Sequence, residues 1–320
     1  MHAASGFAPL PYPDTQNGVP RKTGVEIELA GLDIEDICAI VKDTLGGEFE
    51  GTDPFLRKVV GTQIGDVTVE LDTPARQDSD NEIVRRGLDA ATGIVPLEII
   101  TDPLDMEGLE RFNAFLPKLR KAGATGSRAG VLLGFGVHLN PEVVDPDDPH
   151  SLATIRAFGL LEDHLRHVEH LDLTRRALPF VAPWPAEFVT EMLEDKITGI
   201  EDVLKVTAKH IHSRNHGLDL LPLLKFACPE TFAASFSKTK TAARPTFHFR
   251  MPDCRIDEPS WDLRQPWALW HLVEMVAANS ALMRKLTQAW ATRKTGFLRM
   301  NDWAETSAEI LSEYNLGDLK

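Results

Sequence analysis

Thr23-Gly-Val-Glu-Ile-Glu-Leu29 is the stretch of sequence that decides the fold. Its apolar and acidic residues alternate, and successive side chains of a β-strand point to opposite faces of the sheet. The apolar residues therefore face a core, whereas Glu26 and Glu28 share the other face. The pattern predicts a strand with one buried face and two carboxylates that point toward the same place.

Four further segments repeat this alternation, and each adds polar groups to one face. Their polar positions include Asp72, Glu98, His138 and Arg250. If the strands form one sheet, its polar face collects carboxylates, imidazoles and a guanidinium, which are groups that hold divalent cations and phosphate. The predicted strands are Asp66–Asp72, Leu97–Ile100, Val131–Asn140 and Thr246–Met251.

The order of the elements favours an α+β fold with an antiparallel or mixed sheet. The strands come first and the helices cluster later, without the regular alternation of a doubly wound fold. Residues 1–21 are interpreted as a tail or extended arm, and residues 141–226 as a helical insertion between the fourth and fifth strands. Helices are predicted at 33–45, 106–122, about 151–171, 186–194, 199–212, from about 267 to 291, and 303–314.

Composition limits the classes of partner. The chain has 320 residues and a net charge of -14 without a long basic run, which argues against nonspecific binding to nucleic acid or anionic membranes. No apolar run reaches the length of a membrane span, and the N-terminus has no signal-peptide pattern. The three cysteines are far apart and odd in number, which indicates a reducing compartment. A cytoplasmic location is therefore expected.

Each candidate residue also has a structural interpretation. Glu26 and Glu28 would suit a solvent-exposed strand face, but other acids on nearby strands would repel them unless a cation neutralised the group. His138 would suit a hydrogen-bonded structural histidine, and Arg250 a salt bridge to a strand acid. The histidines at 164, 167 and 170 share a helix face with charged residues, which predicts a solvated face.

The motifs, taken in order, resemble those of the putative amidoligase family, which is distantly related to glutamate–cysteine ligase and glutamine synthetase. The resemblance covers residues 22–260 and is strongest at the opening Gly-x-Glu-x-Glu. It implies a single catalytic domain at 22–320, with a curved antiparallel sheet of the glutamine-synthetase catalytic type. The motifs are Gly24-Val-Glu-Ile-Glu28, Glu70-Leu-Asp72, Leu97-Glu-Ile-Ile-Thr-Asp-Pro-Leu104, Gly136-Val-His-Leu-Asn140 and Phe247-His-Phe-Arg250.

The resemblance also implies an activity, its cofactors and a set of site residues. The expected activity is ATP-dependent formation of an amide or isopeptide bond through an acyl phosphate, with Mg²⁺ or Mn²⁺. The expected substrates are a small-molecule or peptide carboxylate and an amine, and a protein of the glutamine-amidotransferase type is an expected partner. The implied metal ligands are Glu26, Glu28 and Glu98; the implied catalytic residues are Arg250, His138 and Asp72; and the implied nucleotide contacts are Arg250, His248, Arg214 and Asn215.

Two positions depart from the pattern of the family. His248 stands where relatives usually have an acid, and Asn140 stands where they often have a second histidine. Both changes remove a metal ligand. They leave two alternatives open: a phosphotransferase on the same fold, and a noncatalytic protein that binds a nucleotide or peptide.

Overall fold

The structure is a computed structural model, and it describes residues 6–71, 96–127, 135–169, 181–293 and 300–316. Its contacts divide the chain into two compact units, which are described separately below. The first unit comprises Met1–Phe7, Lys22–Asn140 and Pro252–Gln265, and the second comprises Ala8–Arg21, Pro141–Met251 and Pro266–Lys320.

An open six-stranded sheet organises the first unit and confirms the α+β class. The strand order is β2-β3-β4-β5-β1-β6, so β1 lies between β5 and β6. The pairs β2–β3, β3–β4, β4–β5 and β5–β1 are antiparallel. The strands are β1 (Thr23–Leu29), β2 (Glu48–Glu50), β3 (Leu56–Thr62), β4 (Gly65–Leu71), β5 (Leu97–Thr101) and β6 (Val137–Pro141).

Ten helices accompany the sheet within the described residues. They are α1 (Ile34–Leu45), α2 (Met106–Ala122), α3 (Pro149–Val168), α4 (Ala186–Met192), α5 (Ile200–His210), α6 (Leu221–Ala227), α7 (Pro229–Ser235), α8 (Arg264–Ala278), α9 (Ser280–Thr292) and α10 (Met300–Glu313). A membrane crossing would need a longer and more apolar helix than any found in these parts of the chain.

The first unit buries the apolar face of the sheet, as the alternation predicts. Val25, Ile27 and Leu29 of β1 are fully buried, and α1 packs against β3 and β4 on the same unit. The predicted N-cap of α1 is confirmed, because the Asp33 carboxylate accepts a hydrogen bond from the backbone N–H of Asp36 at 2.7 Å. The core therefore lies on one face of β1 and leaves the acidic face for other contacts.

Two predicted strands differ from the structure. Within the described residues the fourth strand spans Val137–Pro141 and Gly136 makes only an isolated bridge, whereas the predicted strand residues 131–134 lie outside the described residues. The fifth is not a strand: Thr246 and Phe249 make only isolated bridges, to Glu142 and Leu218. Its backbone hydrogen bonds go to two separate segments, at 141–143 and 217–219, so no continuous ladder forms.

Four elements of the structure were not predicted from the sequence, and two helices were predicted as one. Strands β2 and β3 and helices α6 and α7 carry no clear periodic signal in the sequence. The predicted long helix through residue 291 is two helices, because Asn279 interrupts it and caps α9 by accepting a hydrogen bond from the backbone N–H of Leu282 at 3.1 Å.

A buried ion pair anchors the predicted N-terminal arm within the second unit. The guanidinium of Arg21 donates to both carboxylate oxygens of Glu274, at 2.8 and 2.7 Å. His150 Nε2 lies 3.2 Å from the same carboxylate, and the indole N–H of Trp270 donates to it at 2.9 Å. Burial raises the pKa of Glu274, but the bonds from Arg21 and His150 outweigh burial and hold that pKa below its usual value.

The predicted solvated histidine face of α3 is wrong at His164. The side chain of His164 is buried, whereas His167 is exposed and His170 lies outside the described residues. Helix α10 packs against α3 in the second unit, and the indole N–H of Trp303 donates to the carbonyl of Leu160 at 2.9 Å. Burial, reinforced by the nearby charge of His167, lowers the pKa of His164.

We expect His164→Gln to reduce the loss of stability at mildly acidic pH. Because the folded-state pKa of His164 lies below the unfolded value of about 6.5, the unfolded chain takes up the proton first as the pH falls. The free energy of unfolding of the unmodified protein should therefore decline below about pH 6.5 more steeply than that of the variant. Denaturant titrations across this range measure the difference. The exposed His212 provides the control, since His212→Gln should leave the slope unchanged, and equal slopes for all three proteins would contradict the prediction.

Candidate metal site

A row of three glutamates crosses the polar face of the sheet in the first unit. Glu28 of β1 lies directly opposite Glu98 of β5, and Glu98 lies directly opposite Glu70 of β4. We call Glu28, Glu98 and Glu70 the glutamate row. Like charges that oppose one another across strands destabilise a sheet, so this arrangement favours a bound cation.

His138 of β6 lies among the carboxylates of β1 and β5. Its Nδ1 atom is 2.9 Å from Glu26 Oε2 and 3.7 Å from Glu98 Oε1, and its Nε2 atom is 3.5 Å from Glu28 Oε1. The side chain of His138 is only 7% exposed. The imidazole therefore joins carboxylates from two strands into one buried polar cluster.

Two further groups hold the carboxylates of β1 in place. The side-chain amide of Asn140 donates to Glu26 Oε1 at 2.9 Å, and the backbone N–H of Gly136 donates to Glu28 Oε2 at 2.6 Å. A side chain at Gly136 would crowd the cluster, because a Cβ atom there would lie 3.1 Å from His138 Nε2. These contacts orient the two carboxylates, as second-shell groups do in metal sites.

The donor set fits a divalent cation. One ligand atom from each of Glu28, Glu98 and His138 can be chosen so that all three lie within 4.8 Å of one another. The two carboxylates suit Mg²⁺ and Mn²⁺, which prefer oxygen ligands, whereas the imidazole nitrogen is a donor more typical of transition metals such as Zn²⁺. Of the three metal ligands predicted from sequence, the structure thus places Glu28 and Glu98 around one point and joins Glu26 to them through His138.

Four of the remaining predicted site residues lie in the second unit. Arg250 donates from Nη1 to the backbone carbonyl of Arg214 at 3.2 Å, and its buried Nε has no hydrogen-bond partner among the described residues. No carboxylate in the described parts of the chain pairs with Arg250. A salt bridge from Arg250 to a strand acid stays a prediction, because the strand acid Asp72 lies outside the described residues.

The other predicted residues have different surroundings. His248 is buried, and its backbone carbonyl accepts a hydrogen bond from the N–H of Asp219 at 3.0 Å. The backbone of Asn215 bonds to Ser213 Oγ and to the N–H of Ala182. Asp72 lies outside the described residues.

Sequence reasoning missed the part played by Glu70, Asn140 and Gly136. Glu70 had a signal, because it shares the polar face of its strand, but its pairing with Glu98 depends on register. The resemblance to the family implies that Asn140 removes a ligand, whereas the side-chain amide of Asn140 donates to Glu26. The alternation that places residues 138 and 140 on one face was the available signal for this contact.

The six-stranded sheet thus gathers glutamates and a histidine on its polar face. The model of the family described as "putative amidoligase enzyme" matches residues 19–272, which is most of the chain, and the chain therefore belongs to this family. Formation of an amide bond is the activity class that the family description gives. A comparison with curated proteins finds no match.

We expect Glu98→Gln to stabilise the metal-free protein. Glu98 is the middle member of the glutamate row, so the neutral amide removes two opposed pairs of like charge, worth about 1 kcal/mol together. Added Mg²⁺ should raise the unfolding temperature of the unmodified protein more than that of the variant, because the variant has lost a ligand. Thermal unfolding with EDTA and with Mg²⁺ measures both effects.

The exposed Glu50 on β2 of the same sheet provides the matched control. Glu50→Gln should respond to Mg²⁺ as the unmodified protein does. An equal response of Glu98→Gln and Glu50→Gln to Mg²⁺ would exclude Glu98 as a ligand.

Proposed function

We propose that this protein is an ATP-dependent ligase that uses Mg²⁺ or Mn²⁺ to join a carboxylate to an amine. The observation that carries the proposal is the buried cluster of Glu26, Glu28, Glu98 and His138 in a chain of the amidoligase family. The proposal includes a sheet of the glutamine-synthetase catalytic type, with its polar face as the active site.

The reaction has two steps. An oxygen of the substrate carboxylate attacks the γ-phosphorus of ATP, the bond to the β-phosphate oxygen breaks, and ADP leaves. The amine nitrogen then attacks the carbonyl carbon of the acyl phosphate, inorganic phosphate leaves, and the nitrogen gives up a proton as the amide forms. Phosphoryl transfer of this kind depends mainly on positioning and on electrostatic stabilisation.

The residues have separate roles in this proposal. Glu26, Glu28 and Glu98 hold the cation, which when bound neutralises charge on the phosphate oxygens. His138 joins the carboxylates of β1 and β5 and lies beside the cation and the phosphate, and Asp72 contacts metal or substrate. Arg250 stabilises charge on the transferred phosphoryl group with its planar guanidinium, which suits phosphate oxygens. Arg250 and His248 contact the nucleotide in this proposal, and Arg214 and Asn215 contact the nucleotide or a polar substrate.

The departure at Asn140 is compatible with activity. Its amide donates to Glu26 Oε1, so the position still orients a carboxylate of the cluster without adding a ligand of its own.

The proposed substrates are a carboxylate and an amine borne by small molecules or peptides. A glutamine-amidotransferase-like protein that supplies or processes one of them is the proposed partner, in the cytoplasm.

Release of ADP in the presence of candidate carboxylates, with and without amines, tests the proposal. The expected result is release of ADP that depends on both substrates, with an amide product whose mass equals the sum of the substrates less one water. Release of ADP without an amine, together with a stable phosphorylated product, would indicate a phosphotransferase instead. Absence of turnover with every acceptor would favour the noncatalytic alternative.

A further inference from the structure

The second unit contains a pocket of about 390 Å³. The end of α5, the start of α6 and the residues that follow α7 form its walls. This volume lies within the range of roughly 300–1,000 Å³ that is usual for small-molecule sites. The residues that bear on its chemistry are Ile211, Arg214, Leu221, Phe236 and Lys238, with four hydroxyl groups at 213, 235, 237 and 239.

The charge of the lining differs from that of the chain. The chain carries a net charge of -14, yet Arg214 and Lys238 line the pocket and no aspartate or glutamate does. The carboxylate of Asp219 balances Arg214, since its Oδ2 accepts from Arg214 Nε at 2.8 Å. With histidine counted as neutral, Lys238 leaves the lining with one net positive charge.

The polar groups of the lining suit an anionic oxygen. Bonds to Asp219 and to the carbonyl of Lys240 fix the guanidinium of Arg214 through Nε and Nη1. Its Nη2 makes no hydrogen bond within the described residues. Serine and threonine hydroxyls around the pocket can donate to the same ligand. The lining therefore offers a fixed guanidinium together with an ammonium and hydroxyl groups as hydrogen-bond donors.

Apart from His212, the rest of the lining is apolar. Ala208, Ile211, Leu221 and Phe236 provide aliphatic and aromatic surface on the same pocket. Burial of carbon atoms against such surface stabilises a ligand that has an apolar body. The pocket therefore suits a molecule with one anionic end and a hydrocarbon part.

The net charge of the lining also distinguishes between a nucleotide and a carboxylate as the ligand. A nucleotide polyphosphate carries several negative charges and normally brings Mg²⁺, which requires carboxylate ligands that this lining lacks. One net positive charge matches a single carboxylate. The observations therefore favour an organic carboxylate over a nucleotide.

We propose that this pocket binds the carboxylate of an organic acid with an apolar body, such as the C-terminal residue of a peptide, with Lys238 and Arg214 as the recognition residues. Arg214 also accepts a hydrogen bond from Arg250 through its backbone carbonyl, so the pocket adjoins a residue of the proposed phosphoryl site within the same unit. The claim that this pocket anchors the substrate of a ligase rests on the proposed function. The substrate class is then peptides with a free C-terminus.

Calorimetric titration without ATP or metal tests the site. The probes are N-acetyl-leucyl-leucine and its C-terminal amide, which differ only in charge at the carboxyl end. We expect the acid to bind at least tenfold more tightly than the amide. Lys238→Met should weaken the binding of the acid about tenfold, and Lys238→Arg should retain most of it. Lys238 is exposed, so both variants should fold.

Lys205→Met is the matched control, because Lys205 is an exposed lysine of α5 that does not line the pocket. It should bind the acid as the unmodified protein does. Equal binding of acid and amide, no binding of either, or unchanged binding by Lys238→Met would overturn the proposal. Competitive displacement of the acid by inorganic tripolyphosphate would overturn it in favour of a phosphate site.

The same design separates this proposal from the ligase activity. Binding of the acid together with an absence of amide formation would retain the carboxylate site and reject the ligase. Amide formation without binding of the acid at this pocket would retain the ligase and reject the carboxylate site.

Discussion

Glu28→Gln should lower metal-dependent ATP turnover at least about 10³-fold. Glu28 is buried, lies opposite Glu98 and has Oε1 3.5 Å from His138 Nε2, so it sits where the three donor groups converge. The amide keeps the size of the side chain but removes the charge that binds a cation. Loss of a cation that stabilises the transferring phosphoryl group is worth several kcal/mol, and each 1.36 kcal/mol is a factor of ten in rate.

The result is meaningful only if the variant folds. Thermal unfolding in EDTA should give a cooperative transition for Glu28→Gln at or above the temperature of the unmodified protein, because a repulsive charge has been removed. Glu50→Gln, on the same sheet but exposed, should retain full turnover. A folded Glu28→Gln protein with unmodified turnover would refute the metal assignment.

The second large effect concerns stability rather than catalysis. Arg21→Ala should lower the free energy of unfolding by about 3–5 kcal/mol, because it leaves the fully buried carboxylate of Glu274 without its main partner. His150 and Trp270 still contact that carboxylate but supply no guanidinium. Urea titration of the purified variants measures the difference.

Two comparisons make this prediction specific. The double change Arg21→Met with Glu274→Leu removes both charges and should recover much of the loss, since apolar replacement of a buried pair is often neutral. Lys42→Ala breaks the exposed pair between Lys42 and Glu48 and should cost at most about 1 kcal/mol. A loss for Arg21→Ala no larger than that for Lys42→Ala would show that the buried pair contributes little.

Elements with strong local signals could be predicted from the sequence. Strand β1 has the predicted bounds, because five consecutive positions alternate between apolar and acidic residues. Helix α2 also has its predicted bounds, because Gly123 adopts a left-handed conformation (φ 112°) and ends the helix there. In both cases the information lies within a few residues of the element.

Elements that depend on distant partners were harder to predict. The segment at 246–251 alternates like a strand, but whether it forms a ladder depends on what lies beside it. Strand β2 is exposed and three residues long, so it has no apolar face to detect. The break at Asn279 within an apolar stretch reflects a capping hydrogen bond rather than a change in hydrophobicity.

The same distinction applies to the candidate site. Alternation within β1 indicates that Glu26 and Glu28 share a face, and this inference needs only one strand. The proximity of Glu28 to Glu98, and of Glu98 to Glu70, requires both the strand order and the pairing register. A shift of one residue in register would turn each side chain to the other face, and no local pattern determines that register.

Calorimetric titration of ATP into the unmodified protein and Glu28→Gln, each with Mg²⁺ and with EDTA, tests the central claim most directly. The account predicts ATP binding that requires Mg²⁺ in the unmodified protein and is lost or at least about tenfold weaker in Glu28→Gln. ATP binding that does not depend on Mg²⁺, or that is equally tight in the two proteins, would contradict the claim that the carboxylates of this sheet hold a cation.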